Sequence, residues 1–137
     1  MGKLRSVLAV LLGIFFGGCL IFAIEAIGSE IFPLPPGVDP SNREALRAAM
    51  ASIPTGALLF VWFSWILGTL AGSWLAARRS PKQPLLHGGI VGAFLFAGSV
   101  MTLLTLPHPI WFWAFTLLGV PAASYVGSQL GAVRSAA

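Results

Sequence analysis

Charge is scarce in this chain, and so are the side chains that most enzymes use. Among 137 residues there are four acids, two histidines, one tyrosine and one cysteine. A lone Cys19 excludes an intrachain disulfide and any multi-cysteine metal or cluster site. His87 and His108 flank an apolar run that, as a helix, holds them ~31 Å apart, too far to share a metal or haem within one chain. No phosphate loop, nucleophile–base pair, carboxylate dyad or metal cluster is visible. No cofactor, no metal and no enzymatic activity are expected.

Long apolar runs are what the chain has instead. Residues 7–27, 55–77, 85–106 and 110–133 are almost free of charge, with Glu25 as the one exception. At ~1.5 Å of rise per residue, each is long enough for a hydrocarbon core ~30 Å thick. Backbone amides in lipid must bond within their own segment or a closed barrel, so runs this long and continuous predict helices. The expected fold is all-α: a polytopic membrane protein of four transmembrane helices. Nothing outside the runs is long enough for a separate soluble core, so residues 1–137 form one domain.

The net charge of +4 is one-sided. Lys3, Arg5, Arg78, Arg79, Lys82 and Arg134 fall at the two termini and in the second loop. The first loop carries only Arg43 and Arg47, against Glu30, Asp39 and Glu44. This bias predicts cytoplasmic termini and outward-facing first and third loops. The basic side attracts anionic headgroups, so membrane lipids are the expected partners rather than nucleic acid. Met1-Gly2-Lys3-Leu4-Arg5-Ser6 fits a myristoylation pattern, but a span begins at once and makes a lipid anchor redundant. Phe16-Gly17-Gly18-Cys19 faintly matches a lipoprotein cleavage site, yet the sequence stays apolar beyond it. The first helix therefore reads as an uncleaved signal-anchor-like span.

The first loop has structure of its own. Pro33-Leu34-Pro35-Pro36-Gly37 favours an extended backbone. Ser41 and Glu44 have capping-box spacing, and Leu46, Met50 and Ile53 follow at helical intervals up to Pro54. A short amphipathic helix over about 41–53 is expected, on the membrane surface or over the bundle mouth.

Small residues recur every four positions within the spans. Ala9, Gly13 and Gly17 mark the first, and Ser64, Gly68, Gly72 and Ala76 the second. Gly89, Ala93 and Ala97 mark the third, beside Gly88 and Gly92, and Gly119, Ala123, Gly127 and Gly131 the fourth. Such stripes let helix backbones approach closely in lipid. The expectation is that some pack the bundle and at least one remains for a homo-oligomer or a membrane-protein partner, with Gly127 on an internal face and Gly13 on an assembly face. Gly72-Ser73-Trp74-Leu75-Ala76-Ala77 and Gly127-Ser128-Gln129-Leu130-Gly131-Ala132 also form a faint direct repeat, and Pro54 and Pro109 open the spans that contain them.

Glu25 is the candidate site residue, because an ionisable group within a span is functional by default. If the helix stops near Ile27 it lies at the outer interface. If it runs on to Pro33, Glu25 moves inward by ~8 Å. An outer-face ion pair with Arg43 or Arg47 is the favoured expectation, with a coupling site as the alternative and His108 as an optional third member. His87 reads as an interface residue. Trp111, Trp113 and Trp74 read as aromatic belts, and Trp62 and Trp65 as packing residues. Pro121 frees the Leu117 carbonyl and should kink its helix, with Ser124, Tyr125, Ser128 and Gln129 bonding across helices below it.

The Pro35-Pro36-Gly37-Val38-Asp39-Pro40 loop and the Leu106-Pro107-His108-Pro109-Ile110-Trp111-Phe112-Trp113 turn give the chain its resemblance to small four-helix bacterial inner-membrane proteins. The resemblance implies that membrane and no particular activity. Small multidrug-resistance transporters also place a glutamate in the first span, in a setting absent here, and the polar track of the four-span fluoride channels is not recognisable. The charge bias argues against the dual-topology dimers found in both groups. The expected role is an accessory or scaffold subunit packing through glycine-rich faces. The alternative is a small transporter or channel that uses Glu25 at an outer vestibule, and a lipid-directed enzyme ranks third.

Overall fold

Prolines mark five of the boundaries of the four long helices. A computed structural model describes residues 2–136, with side chains as far as Val133; Met1, which opens the myristoylation pattern, and the Arg134 side chain lie outside the described residues. Helix α1 (Lys3–Ile31) ends where Phe32 leaves the helical region ahead of Pro33, whose ring clashes with a helical predecessor. Helix α2 (Arg43–Ala49) runs into a single 3-10 turn, Met50–Ser52. Helix α3 (Thr55–Arg78) follows Pro54. Helix α4 (Pro84–Thr105) opens on Pro84, where a missing N–H is harmless, and stops at an extended Leu106 before Pro107. Helix α5 (Ile110–Ala136) starts behind Pro109, whose carbonyl accepts from the N–H groups of Phe112 and Trp113, and it continues through Pro121.

The four long helices are each long and apolar enough to cross a bilayer, and no strand occurs among the described residues. The chain is a polytopic membrane protein. Phe15, Phe22, Phe94 and Leu118 project from the bundle, as a lipid-facing surface requires.

Two expectations about the first loop change. The first helix is longer than the 7–27 run, because nothing stops it before Pro33. The loop helix is shorter than 41–53, and its cap is Asn42: Oδ1 accepts from the N–H groups of Glu44 at 3.1 Å and Ala45 at 3.2 Å. Ser41 does not cap: its N–H and hydroxyl both donate to Asp39 Oδ1, at 2.8 and 2.7 Å, which turns the hydroxyl back toward residue 39 and holds that carboxyl below its ordinary pKa. The preceding turn places Gly37 at φ +85°, the left-handed position that follows proline in a type II turn. Arg43, Glu44 and Arg47 are exposed, while Ala49 and Met50 are buried. Met50 joins Leu58, Trp65, Leu103, Phe112 and Val120 in the apolar core. The loop helix thus folds down onto one end of the bundle, called here the loop end; Lys3, Arg5, Arg78, Arg79 and Lys82 mark the opposite, basic end.

Helix α3 is central, packing on α1, α4 and α5. Its contact with α1 is an antiparallel glycine ladder. A Cβ at Gly13 would lie 2.7 Å from the Gly72 carbonyl oxygen, and one at Gly72 would lie 2.6 Å from that of Gly13; Gly17 and Gly68 repeat the arrangement at 2.6 and 2.7 Å. Gly13 is therefore a bundle-packing residue, which corrects its assignment to an assembly face. Gly127 meets the backbone of Leu70, Gly131 the Trp74 carbonyl and Gly119 the side chains of Ile66 and Trp62, so the α5 stripe closes on α3 with Ala123 buried beside it. On α4 the inward face is Gly88 and Gly92, set against Ser128 and Ser124. Gly89 and Ala93 are exposed, one position round the helix from that contact.

Small polar groups close the centre. Ser73 Oγ lies 3.0 Å from the Gly88 carbonyl and 3.2 Å from Ser124 Oγ, tying α3, α4 and α5 together. Ser128 instead donates to the Ser124 carbonyl of its own helix, and Gln129 donates to the exposed Tyr125 hydroxyl. Only Ser124 of that group bonds across helices. His87 is buried in the first turn of α4, with Nδ1 2.8 Å from the Gln83 carbonyl.

Candidate functional site

The glycine ladder decides where Glu25 points. Ala9, Gly13, Gly17 and Ile21 step along α1 every four residues, and the next step is Glu25, so its side chain faces α3. On α3, running the other way, the stripe Ala76, Gly72, Gly68 ends at Ser64. The two stripes meet at Glu25 and Ser64. The indole Nε1–H of Trp65 donates to Glu25 Oε1 at 3.0 Å, and Ser64 Oγ lies 3.0 Å from the same oxygen while sharing its one proton with the Val61 carbonyl at 2.6 Å. Ser64 is fully buried and Trp65 is 5% exposed. Among the described residues, Oε2 of Glu25 accepts no hydrogen bond from the protein.

Because α1 continues to Ile31, Glu25 lies six residues, or ~9 Å, inside the helix end. Beyond it, Gly28 packs on Phe60, and Phe32 meets Phe60 edge-on with centroids 6.0 Å apart. These contacts hold α1 against α3 up to the mouth of a cavity.

That cavity, about 680 Å3, lies at the loop end between α1, α3 and α4 and beneath the loop helix. Glu25, Ser29, Ser52, Trp65, Thr102 and His108 are its polar or partly polar lining. The remaining walls include Phe32, Leu34, Leu46, Met50, Ile53, Leu58, Phe60, Val61 and Leu106. Among the described residues, Glu25 is its one acid, and no lysine or arginine lines it. The volume falls in the range of small-molecule sites, about 300–1,000 Å3.

His108 stands at the edge of this cavity on the α4–α5 turn. Its Nδ1 lies 3.0 Å from the Leu106 carbonyl, which can only accept, so Nδ1 carries the proton and Nε2 is the free nitrogen of the neutral ring. The imidazole stacks on Phe112, with centroids 4.7 Å apart and an interplanar angle of 21°. Burial holds its pKa below the ordinary 6.5, outweighing the opposite pull of the Leu106 carbonyl. Trp65 packs edge-on against Phe112 at 5.4 Å, so one indole holds the acid and the aromatic cluster together.

Of the four polar residues expected at this end, the cavity brings Glu25 and His108 together. Arg43 and Arg47 stay on the exposed face of α2 and do not line it. The carboxylate takes its partners from α3, Ser64 and Trp65, because the four-residue register turns it inward and not toward the loop. Trp65 reads from sequence as packing alone, and Ser64 as one step of a small-residue stripe. The signal was the register: extending the α1 stripe by two turns, through Ile21, sets Glu25 against Ser64, which already ends the α3 stripe, with Trp65 next to it. Among the described residues no group of three or more His, Cys, Asp or Glu side chains gathers as a metal site.

Comparison of the chain with protein-family models, curated proteins and solved structures finds no match. The likeness to small four-span membrane proteins therefore rests on the four apolar helices themselves.

Proposed function

We propose that this is a non-catalytic membrane protein of the transporter or channel class, whose outer vestibule is the Glu25 cavity. One observation carries the reading: a carboxylate with one oxygen held by the Trp65 N–H beside Ser64 Oγ, and the other unpartnered by protein, lines a cavity large enough for a small molecule. Glu25 is only partly buried, and its second oxygen stays open to the cavity. The basic end faces the cytoplasm of a bacterial inner membrane and the cavity opens on the other side, in keeping with the positive-inside bias.

The test is binding of small aromatic probes to the protein in nanodiscs, observed from the ligand by NMR. Wild-type protein should bind above empty nanodiscs. Val61→Trp, which fills the cavity from α3, should abolish binding without loss of helix content. Wild-type protein that binds no more than empty nanodiscs contradicts the proposal.

A second reading, an accessory subunit in a homo-oligomer or larger complex, is favoured by the face of α4 that the bundle leaves open. Gly89, Ala93 and Ala97 are exposed, and a Cβ at Gly89 would meet nothing within 4 Å. Gly89→Leu should then leave the monomer folded and reduce the assembled mass in nanodiscs. An unchanged mass removes this surface from the argument.

A further inference from the structure

We infer that the Glu25 cavity selects an amphipathic cation: a small apolar or aromatic body carrying one protonated amine. The inference rests on the vestibule reading above and names its ligand class. Three features lead to it. The charge is one-sided, because Glu25 is the lining acid and no lysine or arginine is present among the described lining residues to receive an anion. The acid is also pre-oriented, with the Trp65 N–H anchoring Oε1 beside Ser64 Oγ and leaving Oε2 to accept from an N–H donor. An ammonium–carboxylate hydrogen bond is among the stronger ones available in a protein. The walls, finally, suit an apolar body with a cationic end: Phe32, Phe60 and Trp65 line the same cavity as the acid, and cations are attracted to aromatic rings.

The alternatives fail on the same features. An anion would meet Glu25 with no cation to offset it. A neutral alcohol fits the walls but leaves the charge of Glu25 without a counter-ion. His108 does not reverse this balance, because its ring is neutral near pH 7 and offers only Nε2 beyond its bond to Leu106.

Phenethylamine, phenethyl alcohol and hydrocinnamate share one aromatic body and differ in charge. Their binding to the protein in zwitterionic nanodiscs at pH 7, corrected with empty nanodiscs, separates the possibilities. The amine should bind about tenfold or more tightly than the alcohol, the size of one charge-assisted hydrogen bond, and the acid most weakly. Glu25→Gln should lower the amine to the level of the alcohol while leaving alcohol binding unchanged. Equal binding of the three, preference for the acid, or an amine preference that survives Glu25→Gln overturns the cation inference and leaves the vestibule standing. Failure of all three to bind wild-type protein overturns both. If Glu25→Gln is not recovered folded, the wild-type ranking alone decides the ligand class.

Discussion

Gly17→Ala and Gly18→Ala add the same methyl group to adjacent positions of α1, and they should have opposite effects. At Gly17 the new Cβ would lie 2.6 Å from the Gly68 carbonyl oxygen and 3.0 Å from Leu95 Cδ1; at Gly18 it would meet nothing within 4 Å. Ordinary carbon–oxygen contacts are about 3.3–3.6 Å, so α1 and α3 must separate by about 0.7–1 Å to admit the first methyl. Overpacking of this kind costs about 1–3 kcal/mol. Alanine recovers up to about 1 kcal/mol over glycine through helix propensity. Gly17→Ala should therefore destabilise the bundle by about 1–2 kcal/mol, while Gly18→Ala should be neutral or stabilising. Reversible unfolding in mixed micelles, followed by circular dichroism, measures the difference. The separation also draws Ser64 and Trp65 away from Glu25 two turns along, so the indole emission of Gly17→Ala should shift. If the two variants unfold together, the α1–α3 ladder is not the contact that positions the acid.

The two contacts to Glu25 Oε1 should be unequal. Trp65→Phe removes the N–H committed to the carboxylate and should cost about 1–3 kcal/mol, whereas Ser64→Ala, whose hydroxyl lies nearer the Val61 carbonyl, should cost less; equal losses contradict this assignment of the anchor. For His108, burial makes the folded-state pKa lower than the unfolded one, so the folded protein resists taking the proton. Stability should be full above about pH 6.5 and fall as pH drops through that value, and His108→Gln should flatten the dependence of Tm between pH 7 and 5. Reporter fusions at residue 137 and after Lys82 should read cytoplasm, and a tag near Asn42 should be accessible from outside; labelling from both faces would contradict the single orientation.

The architecture was readable in the sequence because its causes are local. Apolar runs of spanning length, with prolines at 33, 54, 84, 107 and 109, define helices without tertiary information, and the four spans lie where those signals put them. The loop helix was legible as an element, while its cap was not. Ser41 and Asn42 are both capable residues, and the turn that sets Ser41 against Asp39 places Asn42, one residue on, at the cap. The site was half legible. Glu25 and His108 stand out by type, yet their surroundings depend on rotation about helix axes that composition does not fix. Arg43 and Arg47 seemed the natural partners because charge complementarity is easy to see in one dimension. The donors on α3 become visible only when the Gly13–Gly72 and Gly17–Gly68 pairs set the register. The same rotation explains α4, where Gly88 and Gly92 face inward and Gly89 and Ala93 do not, although the two pairs are indistinguishable by spacing.

The most direct measurement of the central claim observes the carboxyl groups themselves. With glutamate labelled at its side-chain carboxyl carbon, the protein presents three resonances, from Glu25, Glu30 and Glu44, and Glu25→Gln assigns the first. On titration with phenethylamine in nanodiscs, the Glu25 resonance should move and saturate, while those of the exposed Glu30 and Glu44 stay in place. A Glu25 resonance that does not move, or one that moves only as much as the two surface acids, would contradict the assignment of this cavity as the binding site.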